Sequence, residues 1–340
     1  HTIYILAILN NFILNIFQHC HILFDMDIFD LTHHDFSNSK NIHDINDRKM
    51  VNLIKNDPDH YEVSKFVILG CPQDLGVIRN GGRKGSSMGP NAIRSQLYKM
   101  SYPKEIKNIS IFDLGDLIIS SDLEDIHINQ ENVVKKVLSD DKIPIILGGG
   151  NDISYPDLKA LNATSKNIVA INIDQHLDIR DMSKPNSGTP YRMLIEENIL
   201  NSDNFIELAI QQFSNSYIYY DFLEELNVPI FTLDDINAKG LPKIFELIKN
   251  KISSQHIFWG IDMDSIKASD APGVSAPSPT GLTSEQIITI AKFAGTFTQS
   301  KIFEITELNP LLDIDHRTAK LASHLILNFI NQKNKIKNIV

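Results

Sequence analysis

Ile168-Val169-Ala170-Ile171-Asn172-Ile173 runs straight into Asp174-Gln175-His176-Leu177-Asp178, and that join decides the fold. The first six residues are apolar and mostly β-branched, the composition of a strand buried on both faces of a parallel sheet. In the next five, acidic or imidazole side chains recur at every second position. That period sends them to one side of an extended chain, as a set. The same join returns further on, where Ile257-Phe258-Trp259-Gly260-Ile261 runs into Asp262-Met263-Asp264. Two such strand ends side by side would gather Asp174, Asp178, Asp262 and Asp264 around His176. Carboxylates that close oppose one another's ionisation, and divalent cations relieve the conflict. Oxygen donors with one imidazole suit manganese or magnesium better than a thiolate-seeking metal. The expectation is a two-metal hydrolytic centre.

Outward from that join the chain alternates strand and helix. Strands are expected at 65–70, 109–114, 144–147, 168–173, 205–210, 229–231, 257–261 and 301–306, about eight in all. Helices are expected at 90–98, 131–138, 219–226, 241–250, 284–293 and 318–331. This pattern predicts an α/β fold of three layers, αβα, around a doubly wound, largely parallel sheet. In such sheets ligands bind just beyond the carboxyl ends of the strands. The polar runs Gly148-Gly149-Gly150-Asn151-Asp152, 174–178, 262–264 and Glu307-Leu308-Asn309-Pro310 each follow an apolar strand and belong at that edge. The glycine-rich segment 74–89 has neither GxxxxGK[ST] nor GxGxxG order, so it reads as a long loop shaping a pocket rather than a phosphate cradle.

Composition narrows the partners. A formal net charge of −10 argues against nucleic acid, whose binding needs a basic stripe. Two cysteines, Cys20 and Cys71, make neither a disulfide framework nor a thiolate cluster, and a reducing cytoplasm is the expected compartment. The domain is expected over 65–335, behind an extension over 1–64. Residues 3–24 are strongly apolar, yet Asn10, Asn11, Asn15, Gln18, His19 and His21 interrupt them, a poor pattern for a membrane span. They also lack the basic start of a secretory signal. Residues 1–25 are read as preceding a native start at Met26, or as an accessory helix. His33-His34 lies in a polar lead-in and reads as solvated rather than ligating.

Asp174-x-His176-x-Asp178, the serine-, proline- and glycine-bearing run after Asp262-x-Asp264, and Glu307-Leu308-Asn309-Pro310 together resemble the ureohydrolases, the family of arginase, agmatinase and formimidoylglutamase. The resemblance covers roughly residues 66–331. Ser187-Gly188-Thr189-Pro190-Tyr191-Arg192 is most similar to the formimidoylglutamase branch, as are Phe213-Ser214-Asn215-Ser216 and the 271–277 and 313–319 runs. Arginases carry histidine where Tyr191 stands. The resemblance implies a binuclear manganese cofactor bridged by Asp174 and Asp262. His176 and Asp264 would complete one site and Asp178 would belong to the other. It also implies a catalytic role for Asp178, and Glu307 as partner of a cationic amidine nitrogen. The implied substrate is a small linear amidine, N-formimino-L-glutamate first, and relatives form homo-oligomers. Arg192 is assigned to a substrate carboxylate on its charge and position. Asn151 stands where the family's usual first metal ligand is histidine, so the second ion is expected to be held more weakly. An agmatinase or guanidinobutyrase activity, or a metal-impaired non-catalytic relative, are the alternatives.

Overall fold

The computed structural model describes residues 27–34 and 46–337. Among them ten strands form one sheet: β1 Thr32–His33, β2 Ile54–Lys55, β3 Phe66–Gly70, β4 Ile111–Leu117, β5 Ile143–Leu147, β6 Ile168–Ile173, β7 Phe205–Ile210, β8 Ile230–Thr232, β9 His256–Asp262 and β10 Ser300–Thr306. Their order is β1-β4-β3-β5-β10-β9-β6-β7-β8, with β2 also on β4. Every pairing is parallel except β1 against β4.

Alternation along each strand feeds two separate cores, which is what makes three layers. Val169, Ile171 and Ile173 of β6 join the core under helices Gly89–Leu97, Leu241–Lys251, Ser284–Gly295 and Arg317–Lys337. Ile168 and Ala170 join the opposite core under helices Leu123–Ser139, Ser154–Thr164, Pro190–Glu196 and Tyr217–Glu225. Such strands are apolar on both sides, hence the unbroken runs in the sequence. The αβα architecture is therefore the one anticipated.

The details differ in instructive ways. β1 and β2 extend the sheet edge with residues assigned above to the N-terminal extension. Residues 1–25 lie outside the described residues. His33 pairs in register with Asp116, while His34 meets the Asn56 amide through Nδ1 at 3.2 Å. The segment 74–89, expected as loop throughout, carries a five-residue helix, Leu75–Arg79. The helix expected at 131–138 starts eight residues earlier, at Leu123, capped by Asp122, whose side chain accepts from the Glu124 amide. Helices Ser154–Thr164, Pro190–Glu196 and Leu233–Lys239 had no counterpart in the expected elements. No helix among the described residues is long and apolar enough to cross a membrane.

Candidate metal centre

Register explains how two remote sequence runs meet. β6 pairs with β9 so that Ile173 faces Ile261, and β9 pairs with β10 so that Asp262 faces Thr306. Asp174, Asp262 and Glu307 therefore leave three neighbouring strands at one level. Each exit is pinned locally. Asp174 Oδ1 accepts from the His176 amide at 2.7 Å, and Asp262 Oδ1 from the Asp264 amide at 2.8 Å. The Glu307 amide donates to the Gly149 carbonyl at 2.8 Å, and its Oε1 accepts from the Asn151 amide at 3.0 Å. Gly149 can be only glycine here, since a Cβ would lie 1.9 Å from the Gln73 carbonyl oxygen. Asp178 (φ 45°) and Glu307 (φ 63°) hold left-handed backbone, a conformation that costs roughly 1–3 kcal/mol for a non-glycine residue and clusters at functional sites.

Two triads could each hold a metal ion: Asp174, His176 and Asp264, and Asp174, Asp178 and Asp262. Within each, one ligand atom per residue lies within 4.8 Å of the others, and Asp174 is common to both. His176 Nδ1 stands 3.2 Å from Asp264 Oδ2, whereas Asp264 Oδ1 is buried with no hydrogen-bond partner. A buried carboxylate oxygen without a donor is costly unless a cation meets it. The electrostatics agree. Burial, with the charges of Asp178 and Asp264, pushes Asp174 well above the usual carboxylate range. Burial, with Asp264 and Asp174, does the same to Asp262. Burial raises Asp178 to about 6. Burial would lower His176, but Asp264 and Asp174 overcome it and hold the imidazole up to about 12. These groups resist sharing negative charge, and hard oxygen donors with one imidazole fit divalent ions of the manganese or magnesium kind.

The triads open into a cavity of about 290 Å³. Asp178, Asp262, Asp264, His176 and Glu307 line its inner part, with Asp262, Asp264 and Glu307 buried. Two exposed arginines, Arg83 and Arg180, line its mouth. Arg83 is tied by Nε to the Ser275 carbonyl at 2.8 Å and by Nη2 to the Val274 carbonyl at 2.9 Å. The glycine-rich segment does shape this pocket, through Val77, Asn80, Gly81, Gly82 and Arg83.

Arg192 is placed elsewhere. It does not line the cavity; its Nε donates to Glu196 Oε1 at 2.5 Å and its guanidinium lies over the Phe222 ring, 4.1 Å from the centroid. Arg180 and Arg83 were missed. Sequence spacing carries no signal for either, because the left-handed turn at Asp178 breaks the period-two alternation before Arg180. Asn151 is brought into the cluster. Its Nδ2 donates to Asp178 Oδ2 at 2.7 Å and to Asp174 Oδ2 at 3.3 Å.

Comparison with known proteins agrees with this geometry. Residues 64–331 match the Arginase family. The formimidoylglutamase of Bacillus subtilis (strain 168) is 32% identical over 284 residues, 79% of this chain and 88% of that protein. Its solved structure superposes with a TM-score of 0.78 at 31% identity, covering 92% of this chain and 98% of the other. The manganese-bound formiminoglutamase of Trypanosoma cruzi superposes with a TM-score of 0.80 at 30% identity, covering 85% and 99%.

Proposed function

The chain belongs to the arginase family, whose members hydrolyse carbon–nitrogen bonds of linear amidines, and from that premise we propose that it converts N-formimino-L-glutamate and water to L-glutamate and formamide. The observation that carries the choice of substrate is the cavity's polarity, acidic inside and cationic at the mouth. A substrate that suits it brings an amidinium inward and leaves carboxylate outside. Agmatine, whose far end is a second cation, does not. The named relatives are formimidoylglutamases, which supports the same choice.

Asp174, His176 and Asp264 would hold one manganese ion and Asp174, Asp178 and Asp262 the other. When bound, two such ions supply a water acidic enough to attack at neutral pH. The rest falls to the chain. Glu307, with Oε1 fixed by the Asn151 amide, faces the protonated imine nitrogen and compensates its charge as the amidine carbon becomes tetrahedral. Asp178 receives the proton released by the attacking water and delivers it to the nitrogen that leaves with glutamate. The bond formed is carbon–oxygen, and the bond broken joins that carbon to the glutamate nitrogen. Arg180, exposed at the mouth beside Asp178, is our choice for the substrate carboxylate in place of Arg192.

The test is a panel of formiminoglutamate, 4-guanidinobutyrate and agmatine with added manganese, with formamide, urea and ammonia measured separately. Formamide from formiminoglutamate is expected as the dominant product. Arg180→Leu should raise KM about tenfold or more with kcat little changed, as loss of a charged hydrogen bond common to ground and transition state does. Faster release of urea from either guanidine would overturn the proposal.

A further inference from the structure

Asn151 is almost wholly buried, and its side-chain amide is gripped at both ends. One end donates to Asp178 and Asp174. At the other, Oδ1 accepts from Thr306 Oγ1 at 3.0 Å and from Ser154 Oγ at 3.2 Å. Thr306 closes β10 in register with Asp262 and is fully buried. Ser154 opens the helix Ser154–Thr164, and its Oγ also lies 2.5 Å from Oε1 of the fully buried Glu304. An amide has a donor edge and an acceptor edge, so an unheld one can offer either to its surroundings. The Thr306 hydroxyl on the far side, with that of Ser154, whose one proton also has Glu304 Oε1 in reach, selects the oxygen and leaves the nitrogen to face the carboxylates.

We propose that Thr306 and Ser154 are positioning residues for the metal site of Asp174, Asp178 and Asp262: they fix the Asn151 amide, and through it the carboxylates of Asp178 and Asp174. The inference rests on the two-ion reading above. Asp178 has particular need of the support, because it lies outside any helix or strand, in a left-handed turn. The other triad shares Asp174 but adds His176 and Asp264, neither of which is hydrogen-bonded to the Asn151 side chain, so it should feel the loss less and serves as an internal comparison.

Metal-stripped wild type, Thr306→Val and Thr306→Ser are titrated with manganese by calorimetry, with bound metal counted after desalting. Wild type should take up two ions. Thr306→Val should bind the first with affinity changed only slightly and the second about tenfold or more weakly, the usual effect of losing a group that orients a ligand. Thr306→Ser keeps the hydroxyl and should behave as wild type, and Ser154→Ala should shift the second ion in the same direction as Thr306→Val. Two ions at wild-type affinities in Thr306→Val overturn the inference and leave the proposed function standing. Equal weakening of both ions also overturns it, because the hydroxyl would then act on the fold as a whole. A wild type that takes up fewer than two ions defeats the two-ion reading itself, and this inference with it.

Discussion

Two clusters of buried charge among the described residues, one at Arg94 and one at the candidate metal centre, are built on opposite plans. Around Arg94, the guanidinium is bracketed by carboxylates. Nε and Nη2 meet Asp113 at 2.9 and 3.0 Å, Nη1 meets Asp116, Nη2 also reaches the Gly115 carbonyl at 2.7 Å, and the Tyr98 hydroxyl donates to Asp113 at 2.5 Å. Burial opposes the Asp113 charge, but Arg94 prevails and holds its carboxyl below the usual range. The metal centre instead gathers Asp174, Asp178, Asp262, Asp264 and Glu307 around one imidazole, and burial drives most of those carboxyls upward. The first cluster carries its own counter-charge and is finished. The second sets a single imidazole, His176, against five carboxyls and faces a cavity. Imbalance of charge, rather than burial of charge, marks the candidate site off from the Arg94 cluster.

The contrast breaks most visibly if Arg94 is removed. Arg94→Met should cost about 3–5 kcal/mol in denaturant unfolding, because Asp113 is left buried without its partner. The two manganese affinities of the folded protein should not change. Asp264→Ala should do the reverse. Activity should fall about a hundredfold or more together with bound manganese, since even groups that merely orient a ligand are worth ten- to a hundredfold. Metal-stripped Asp262→Ala, by contrast, should be no less stable than wild type, since burial, Asp264 and Asp174 all oppose the Asp262 charge and one member of a mutually repelling set has gone. Activity surviving Asp264→Ala with metal content unchanged would remove the two-metal scheme.

The smallest effect is in pH. A carboxyl raised in the folded state is protonated in both states at low pH and costs nothing there. For Asp178, raised from 3.8 to about 6, the cost of ionising in place grows as pH climbs through that window and then levels off. Metal-stripped protein should therefore lose stability between about pH 4 and pH 6, a loss that saturating manganese removes. Asp113 carries the opposite sign: its contribution is present above the usual carboxylate range and is lost as pH falls below it. Melting curves across pH, with and without manganese, separate the two. A metal-stripped protein whose stability is flat from pH 4 to 6 would mean that burial does not hold Asp178 above its ordinary range.

Much of this was legible in the chain because parallel strands announce themselves. β6 and β7 have the bounds that their apolar runs predicted, and β9 differs only at its ends. Since neighbouring parallel strands end together, the side chains just past them could be assigned to one place. What escaped notice has a common cause. Helix Ser154–Thr164 turns Ser154, Pro156 and Asp157 inward, and helix Leu123–Ser139 buries His127 and Gln130, so apolar periodicity is broken where polar groups are buried. The helix Leu75–Arg79 is barely more than one turn, among glycines that read as loop. Arg192 was the expected partner of a substrate carboxylate; that Arg180 lines the cavity and Arg192 does not depends on where side chains point beyond a strand end, which sequence spacing does not encode. Arg192 sits on a helix with Glu196 one turn ahead, and it is satisfied there.

The left-handed backbone at Asp178 and Glu307 carries an evolutionary corollary. Glycine would relax the main chain at either position, so the fold by itself would favour losing both acids. A descendant freed from selection for turnover should drift toward glycine at these two points before the Arg94 cluster changes at all. Such a lineage would be recognisable by which charges it had kept.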